Sequence, residues 1–359
     1  MPTMIIIKLL FTFITTFIFI KLVIKNAKLL GLIDIRNERS SHNKITPRGA
    51  GIGFGFAFFI TIIIFENTIF IKHWLVFLSI FLVFLIGILD DHKDTSPKTK
   101  FYIIFLATIL LYLDDISIYT LGVFLGIEIS LWYFALPFTM FALAGFTNAL
   151  NLIDGLDGLA GTISLIILSA FLYIGFINQD ELIIIICSVT MTTLIAFLIF
   201  NWNPAKIFMG DSGSLFLGFV ISVVATVSLK YIHPIAIFYL AAIPIVDTLI
   251  VMIRRLRNGK SPFSPDKTHI HHILLNFFEN RVKKTVLFLA LMQSLFSLFG
   301  LMLALNSNSL GNGFATLSLI AFCGIVILFY MIFTGIKRRQ KLIDQLEQRK
   351  RRLKKHKHN

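Results

Sequence analysis

Cysteine is nearly absent from this chain of 359 residues, which has only Cys187 and Cys323. Both lie in apolar stretches without the spacing of a disulfide framework or a metal site, so the sequence gives no basis for either. Charged residues are also scarce, at 14% of the chain, whereas hydrophobic residues make up 57% and the mean hydropathy is +0.85. Water-soluble globular domains of this size do not normally have this balance. The composition therefore indicates an integral membrane protein.

Long apolar runs recur along the whole chain. A run of about 20 residues spans the hydrocarbon core of a bilayer, and several runs reach this length. We therefore expect an all-α polytopic membrane protein with about ten to eleven transmembrane helices, in a transmembrane domain at residues 1–336. The runs lie at residues 4–24, 50–65, 74–89, 101–113, 129–148, 159–178, 181–200, 214–230, 235–253, 285–305 and 314–335. Residues 116–130 alternate in polarity and predict a hairpin.

Lysine and arginine are distributed unevenly between the two sides of the membrane. One set of loops holds nearly all of them, whereas the opposite set holds Lys72 and Lys230. Because short cytoplasmic loops retain these residues, the rich side is predicted to be cytoplasmic, with the N-terminus outside and the C-terminus inside. The tail at residues 337–359 has eleven Lys and Arg residues against two acidic ones. Beside a membrane span, this charge favours contact with anionic lipids over nucleic acid.

Polar motifs are concentrated in five of the predicted cytoplasmic loops. These loops contain NERSSHNKITPRGAG, DDHKDTSPKTK, NALNLIDGLDG, NWNPAKIFMGDSGS and RRLRNGKSPFSPDKTHIHH. We expect them to form one polar surface at the cytoplasmic face. A transporter or lipid flippase needs polar residues at the midplane and usually has internal repeats, which this sequence does not obviously show. A membrane scaffold would explain the basic tail but not the acidic loops.

Two of these loops carry acidic clusters. In the first, Asp90 and Asp91 are adjacent and Asp94 follows one helical turn later, so their mutual repulsion favours metal binding or proton transfer over simple solvation. In the second, Asn148, Asn151, Asp154 and Asp157 share a three-residue spacing that could place all four toward one groove of a helix. Gly155, Gly158 and Gly161 interleave with this second cluster, and they allow close helix packing or the close approach of a nucleotide.

A third motif, residues 208–214, precedes an apolar run that reads as a helix. Asp211 could simply cap that helix, but the flanking Gly210 and Gly213 leave the backbone open beside it. The helix start could then bind phosphate through free N–H groups while Asp211 holds Mg²⁺. Phe208 offers a flat face for stacking a base, although packing is its default role.

Three histidines, His269, His271 and His272, form the fourth motif. They could donate to phosphate oxygens or sugar hydroxyls, and zinc binding is a weaker alternative because no cysteine is near. Asp247 lies in an apolar run, where a carboxylate indicates either a substrate contact or a partner for the basic loop.

Taken together, DDHKD, NLIDGLDGLAG, FMGDSGSLFLG and SPFSPDKTHIHH resemble the polyprenyl-phosphate N-acetylhexosamine-1-phosphate transferase family. The resemblance is strongest to its bacterial undecaprenyl-phosphate N-acetylglucosamine-1-phosphate transferases, and it extends from about Gly31 to His272. It implies an enzyme of the bacterial inner membrane that transfers a sugar-1-phosphate, chiefly GlcNAc-1-phosphate, from a UDP-sugar to undecaprenyl phosphate. The product would initiate a cell-envelope polysaccharide such as O-antigen or a teichoic-acid-like polymer. ERSSHNKITPRGAG looks closer to relatives that use other N-acetylated sugars, so the donor stays open.

The resemblance also implies roles for individual residues. Mg²⁺, for which Mn²⁺ can substitute, would be held by Asp211 and Asn151. Asp90 and Asp91 would handle the lipid phosphate, and Asp154, Asp157 and His271 complete the catalytic set. Substrate binding is implied for Lys44, for Lys98 or Lys100, and for Asn148, Asn151, Phe208, His269 and His272. The expected partners are the two substrates and anionic lipids, with no nucleic acid and with an oligomer left open.

Overall fold

The computed structural model describes residues 2–33, 46–261, 269–306 and 312–356. Fourteen helices occur in these ranges, together with a two-stranded antiparallel sheet and a short 3₁₀ helix at Trp132–Phe134. The helices are α1 (Pro2–Asn26), α2 (Ala50–Phe65), α3 (Asn67–Lys72), α4 (Trp74–His92), α5 (Pro97–Leu113), α6 (Ala135–Ile153), α7 (Leu159–Asn178), α8 (Glu181–Asn201), α9 (Asp211–Ser228), α10 (Pro234–Leu240), α11 (Ala242–Arg257), α12 (Ile270–Phe277), α13 (Val282–Leu305) and α14 (Asn312–His356). The strands are β1 (Thr120–Phe124) and β2 (Ile127–Ser130).

Every predicted apolar run forms a helix, but fewer runs than expected are long enough to span a bilayer alone. Eight helices in the described ranges have the length and composition of a span, and α10 and α11 would make a ninth if they are one span bent by 88°. The two remaining runs form α2, with 16 residues, and α5, with 17. The chain is a mostly helical, multi-pass membrane protein. The mostly helical fold agrees with the expectation of an all-α membrane protein, and the hairpin predicted at residues 116–130 is present as β1 and β2.

Helix α9 lies at the centre of the bundle, with 94% of its residues buried. It packs against α2, α4, α6, α7 and α8. Helix α2 approaches the first turn of α9 closely at Gly51. Only glycine fits there, because a Cβ at position 51 would lie 2.0 Å from the backbone nitrogen of Gly213. Close backbone contact of this kind is what small residues allow between membrane helices. The start of α9 is therefore held rigidly among its neighbours.

Candidate active site

Among the described residues, four of the polar loops meet around the start of α9, and the fifth contacts one of them where His271 lies against Gly155. Asp91, at the end of α4, accepts hydrogen bonds from the backbone N–H groups of Asp211 (2.8 Å) and Ser212 (3.1 Å). The N–H groups of Gly213 and Ser214 point to the carbonyl of Gly210. The prediction that this helix start offers free N–H groups to a phosphate is therefore wrong, because Asp91 already satisfies them.

The repulsion predicted within the DDHKD cluster is relieved by the protein itself. Lys100 Nζ lies 2.5 Å from Asp90 Oδ2, and Thr95 donates to Asp90 Oδ1 through both its N–H (2.7 Å) and its hydroxyl (2.5 Å). Lys100 Nζ is also 3.8 Å from Asp211 Oδ1, so of the two candidate lysines it is the one at the site. The side chains of Lys98 and Asp94 are exposed.

An acidic cavity of about 270 Å³ opens beside the start of α9. Its lining residues are Arg48, Asp91, Asn151, Asp154, Phe208, Gly210, Asp211 and Ser214. Asn151, on α6, donates through Nδ2 to Asp211 Oδ1 and to Ser214 Oγ, the latter at 2.8 Å. Six residues of this lining were proposed or discussed from the sequence. Arg48 and Ser214 were not singled out, because a lone cation in a cytoplasmic loop and a serine in a helix have ordinary explanations.

The helical spacing predicted for residues 148–157 is wrong after Ile153, where α6 ends. Asp154 follows the helix end and reaches the cavity, where burial and the charges of Asp211, Asp91 and Asp157 raise its pKa to about 7. Asp157 turns away and accepts from Asn203 Nδ2 (2.9 Å) and from the N–H of Ala205 (3.0 Å). It thus joins this loop to residues 202–210.

Asn148 and Asn151 keep the predicted spacing because both lie on α6. Asn148 is half-buried, and it does not line the cavity that Asn151 reaches one turn later. Phe208 is half-buried in the cavity wall, where a base could stack on it. Lys44 lies outside the described residues.

The histidine motif is anchored to α11 by Asp247. His269 Nδ1 lies 2.7 Å from Asp247 Oδ2, and the N–H of Ile270 donates to Asp247 Oδ1 at 2.6 Å, so the carboxylate fixes the start of α12. Of the two roles considered for Asp247, the contacts support the structural one. His271 is 1% exposed and lies against Gly155, at the end of α6.

The His271 ring stacks at 5.7 Å from that of His269 and lies 4.2 Å from that of His272. Both ring nitrogens of His271 are buried, and neither has a hydrogen-bond partner among the described residues. A neutral imidazole in this position has one donor and one acceptor available for a ligand or for a rearranged loop.

Comparison with known proteins decides the family. The model of glycosyl transferase family 4 matches residues 73–229. The probable undecaprenyl-phosphate N-acetylglucosaminyl 1-phosphate transferase of Bacillus subtilis (strain 168) is 35% identical over 289 residues, which cover 77% of this chain and 79% of the relative. The undecaprenyl-phosphate alpha-N-acetylglucosaminyl 1-phosphate transferases of Yersinia pestis and Escherichia coli (strain K12) are both 33% identical, covering 75% and 74% of this chain and 76% and 74% of the relatives.

The chain belongs to glycosyl transferase family 4. The resemblance to polyprenyl-phosphate N-acetylhexosamine-1-phosphate transferases is confirmed, and so is the prediction of an enzyme. The family match contains Asp90, Asp91, Asp154 and Asp211, whose side chains the fold gathers at the start of α9. It ends before the histidine motif, of which His271 contacts Gly155, next to Asp154.

The oxygen atoms available at this family 4 site fit Mg²⁺. Asp211 is 29% exposed toward the cavity, and Asn151 makes both of its hydrogen bonds through Nδ2, which leaves its Oδ1 as an oxygen ligand. Burial and then the negative charges of Asp211, Asp91 and Asp157 raise the pKa of Asp154, and a cation would relieve the repulsion among these carboxylates. Among the described residues, no group of three or more His, Cys, Asp or Glu side chains could hold a metal by itself. Mg²⁺ commonly uses one or two protein oxygens and completes its shell with water and substrate phosphates.

Replacing Gly155 with alanine should displace His271. A Cβ at position 155 would lie 2.3 Å from His271 Nε2, so the buried His271 ring must move and activity should fall about tenfold. The measurement is the transferase rate of detergent-solubilised enzyme, with Gly324→Ala as the control, since no atom lies within 4 Å of a Cβ there. In a His271→Ala background, Gly155→Ala should reduce the transferase rate little further. An undiminished loss of rate in that background would show that the effect does not come from the contact with His271.

Acid should destabilise the enzyme through His271. Burial lowers the pKa of His271 from 6.5 to about 3, so the folded state rejects a proton that the unfolded state accepts. Stability from this residue is therefore complete above pH 6.5 and is lost as the pH falls toward 3. We expect the thermal midpoint of His271→Gln to fall less steeply with acid than that of wild type. His92→Gln, which changes an exposed histidine, should follow wild type, and identical slopes for all three proteins would refute the prediction.

Proposed function

We propose that this enzyme transfers an N-acetylhexosamine-1-phosphate, with GlcNAc-1-phosphate as the first candidate, from a UDP-sugar to undecaprenyl phosphate. The products are UMP and a lipid-linked sugar diphosphate that initiates a cell-envelope polysaccharide. The relatives in Bacillus, Yersinia and Escherichia are named for this acceptor and for N-acetylglucosaminyl 1-phosphate transfer. The reaction takes place at the cytoplasmic face of the bacterial inner membrane, with the N-terminus outside and the C-terminus inside.

A polar cavity and an apolar groove that share helix α6 are the observation that carries this proposal. The groove has a volume of about 360 Å³, and α6 lines it from Phe138 to Ala149. The same helix lines the acidic cavity at Asn151, about 3 Å further along its axis. Helices α9, α10 and α11, with the residues at their ends, form most of the rest of the groove, and Ile118 and Leu121 complete it. We assign the groove to the polyprenyl chain; because residues two apart on a helix face different sides, the lipid phosphate would have to pass around α6 from the groove at Ala149 to the cavity at Asn151.

The chemistry requires two anions to meet. A phosphate oxygen of the lipid bonds to the β-phosphorus of the UDP-sugar, and the bond from that phosphorus to UMP breaks. Lys100, between Asp90 and Asp211, places a cation near the developing charge. We assign the ordering of the lipid phosphate to Asp90 together with its partner Lys100, because Asp91 is engaged by the start of α9. Mg²⁺ on Asp211 and Asn151 would neutralise the diphosphate, and Mn²⁺ offers the same chemistry.

The remaining assignments concern the donor and the tail. We assign stacking on the uracil to Phe208, which lines the cavity. We assign donor binding to His269, His271 and His272, because His271 contacts Gly155 in the loop of Asp154. Helix α14 continues past its apolar part into the basic tail, and Arg338 and Arg339 are exposed directly after it. We assign these cations to anionic lipid headgroups.

The test is a reconstituted reaction. Purified enzyme is incubated with Mg²⁺, undecaprenyl phosphate and a panel of labelled UDP-N-acetylhexosamines, and both UMP and lipid-linked sugar are measured. We expect both products with UDP-GlcNAc, and a different preferred donor would reassign only the sugar. Absence of product with every donor would refute the proposed function.

The groove predicts a selective defect for Gly145→Phe. Gly145 lines the groove, and no atom lies within 4 Å of a Cβ at this position, so a phenyl ring would occupy the groove without disturbing the helix. The KM for undecaprenyl phosphate should rise while the KM for the UDP-sugar stays unchanged. Gly324→Phe, on the exposed side of α14, is the matched control. An unchanged acceptor KM would exclude this groove as the lipid site.

A further inference from the structure

We infer that Arg48 binds a phosphate oxygen of a substrate in the acidic cavity. This inference rests on the proposed function and adds to it a residue outside the metal site, the aspartates and the histidine motif. The shared chemistry is an anionic phosphate oxygen, which either the diphosphate of the donor or the phosphate of the lipid acceptor can supply.

The backbone around Arg48 is fixed on both sides of the residue. The N–H of Arg48 donates to the carbonyl of Leu32 at 2.9 Å. The N–H of Phe208 donates to Pro47 O at 2.8 Å, and the N–H of Ala50 donates to Phe208 O at 3.1 Å. These bonds join the Arg48 loop to the loop that ends at the start of α9. The guanidinium is therefore carried on a rigid support against the cavity wall.

The side chain of Arg48 is only partly satisfied by the protein. Its Nη2 donates to the backbone carbonyl of Asp91 at 2.9 Å. Its Nε–H is buried and has no hydrogen-bond partner in the part of the chain that the structure describes. Within the described residues, no carboxylate forms an ion pair with Arg48, although Asp91, Asp154 and Asp211 line the same cavity. A buried charged donor without a partner is unfavourable, so the arrangement fits a ligand that supplies an oxygen.

The other positive groups near the cavity are already engaged. Asp91 occupies the N–H groups at the start of α9, and Lys100 is paired with Asp90. Among the described residues that line the cavity, Arg48 is the only cation. A substrate phosphate entering among three carboxylates needs a positive contact, and a guanidinium matches phosphate oxygens better than an ammonium does. The distribution of charge therefore assigns that contact to Arg48.

Two substitutions separate this role from structural support. Arg48→Lys keeps a positive charge without the planar donor pair, and Arg48→Gln removes the charge. Arg281→Gln is the control, because Arg281 is 62% exposed and pairs only with the exposed Glu279 among the described residues. Binding of uridine, UMP and UDP is measured by calorimetry with Mg²⁺ present, and the KM for undecaprenyl phosphate is measured with the preferred UDP-sugar. Thermal midpoints monitor the fold.

If Arg48 binds the diphosphate of the UDP-sugar, Arg48→Gln should bind uridine with normal affinity. The ratio of its UDP affinity to its uridine affinity should then be about 10- to 100-fold lower than in wild type. An acceptor contact predicts an unchanged UDP affinity and a KM for undecaprenyl phosphate raised by a similar factor. Arg48→Lys should fall between wild type and Arg48→Gln in the affected arm. The inference would be overturned if Arg48→Gln had the same affinities for uridine and UDP and the same KM for undecaprenyl phosphate as Arg281→Gln. It would also be overturned if Arg48→Gln lost uridine and UDP affinity by the same factor, because such a loss indicates a structural defect. A wild-type enzyme that transfers no sugar phosphate would instead overturn the proposed function.

Discussion

Asp211→Asn should reduce transfer by about a thousandfold while the protein stays folded and inserted. The substitution keeps an oxygen that can accept from Asn151 but removes the charge that would hold Mg²⁺ against the diphosphate. It also removes the attraction to Lys100, 3.8 Å away. The measurement is the initial rate of UMP release over a range of Mg²⁺ concentrations. Excess Mg²⁺ should recover little activity, since the lost carboxylate supplies both affinity and position.

The fold should tolerate this change because α9 begins through contacts made by backbone atoms. The N–H of residue 211 donates to Asp91, whichever side chain is present. Asp94→Asn, an exposed carboxylate four residues after Asp90, is the matched control and should keep normal turnover. Near-normal turnover of Asp211→Asn would remove this residue from the metal site.

Features of the fold that depend on local composition could be predicted from the sequence. The eleven apolar runs all became helices, and the alternating residues 116–130 contain the hairpin of β1 and β2. The number of membrane spans was overestimated, because α2 and α5 reach only 16 and 17 residues and the run at residues 235–253 is broken between α10 and α11. The sharp bend between α10 and α11 was not predicted, since Pro244 lies after the break at Ala241 rather than in it. Hydrophobicity identifies apolar segments, but tertiary packing decides how they bend.

The aspartates show where sequence reasoning about the site stops. Asp90, Asp91, Asp154 and Asp211 were all singled out as residue types suited to charge and metal chemistry. Their different surroundings could not be predicted, because Asp91 meets the α9 backbone across 120 residues of sequence and Asp90 meets Lys100 in the next helix. Helix α6 also ends at Ile153, so Asp154 and Asp157 lie beyond the helix although their spacing suggested that it continued. Arg48 was overlooked for the same reason, since only the fold brings it to these carboxylates.

Asp91→Ala should lower both stability and activity, which distinguishes it from Asp211→Asn. Removing the carboxylate leaves the N–H groups of Asp211 and Ser212 without partners at the centre of the bundle. Each buried, unpaired N–H costs about 1 to 3 kcal/mol, so the thermal midpoint in detergent should fall and the start of α9 should loosen. Activity is then lost because Asp211 and Ser214, on that first turn, no longer face Asn151.

Asp91→Asn separates the two possible roles of this residue. The asparagine keeps one acceptor oxygen, but its amide group presents hydrogens to the second N–H, so stability should lie between those of wild type and Asp91→Ala. If Asp91 acts chiefly by holding α9, then activity across the three proteins should follow the thermal midpoint. A fully stable Asp91→Asn enzyme without activity would instead show that the ionised carboxylate itself takes part in the reaction.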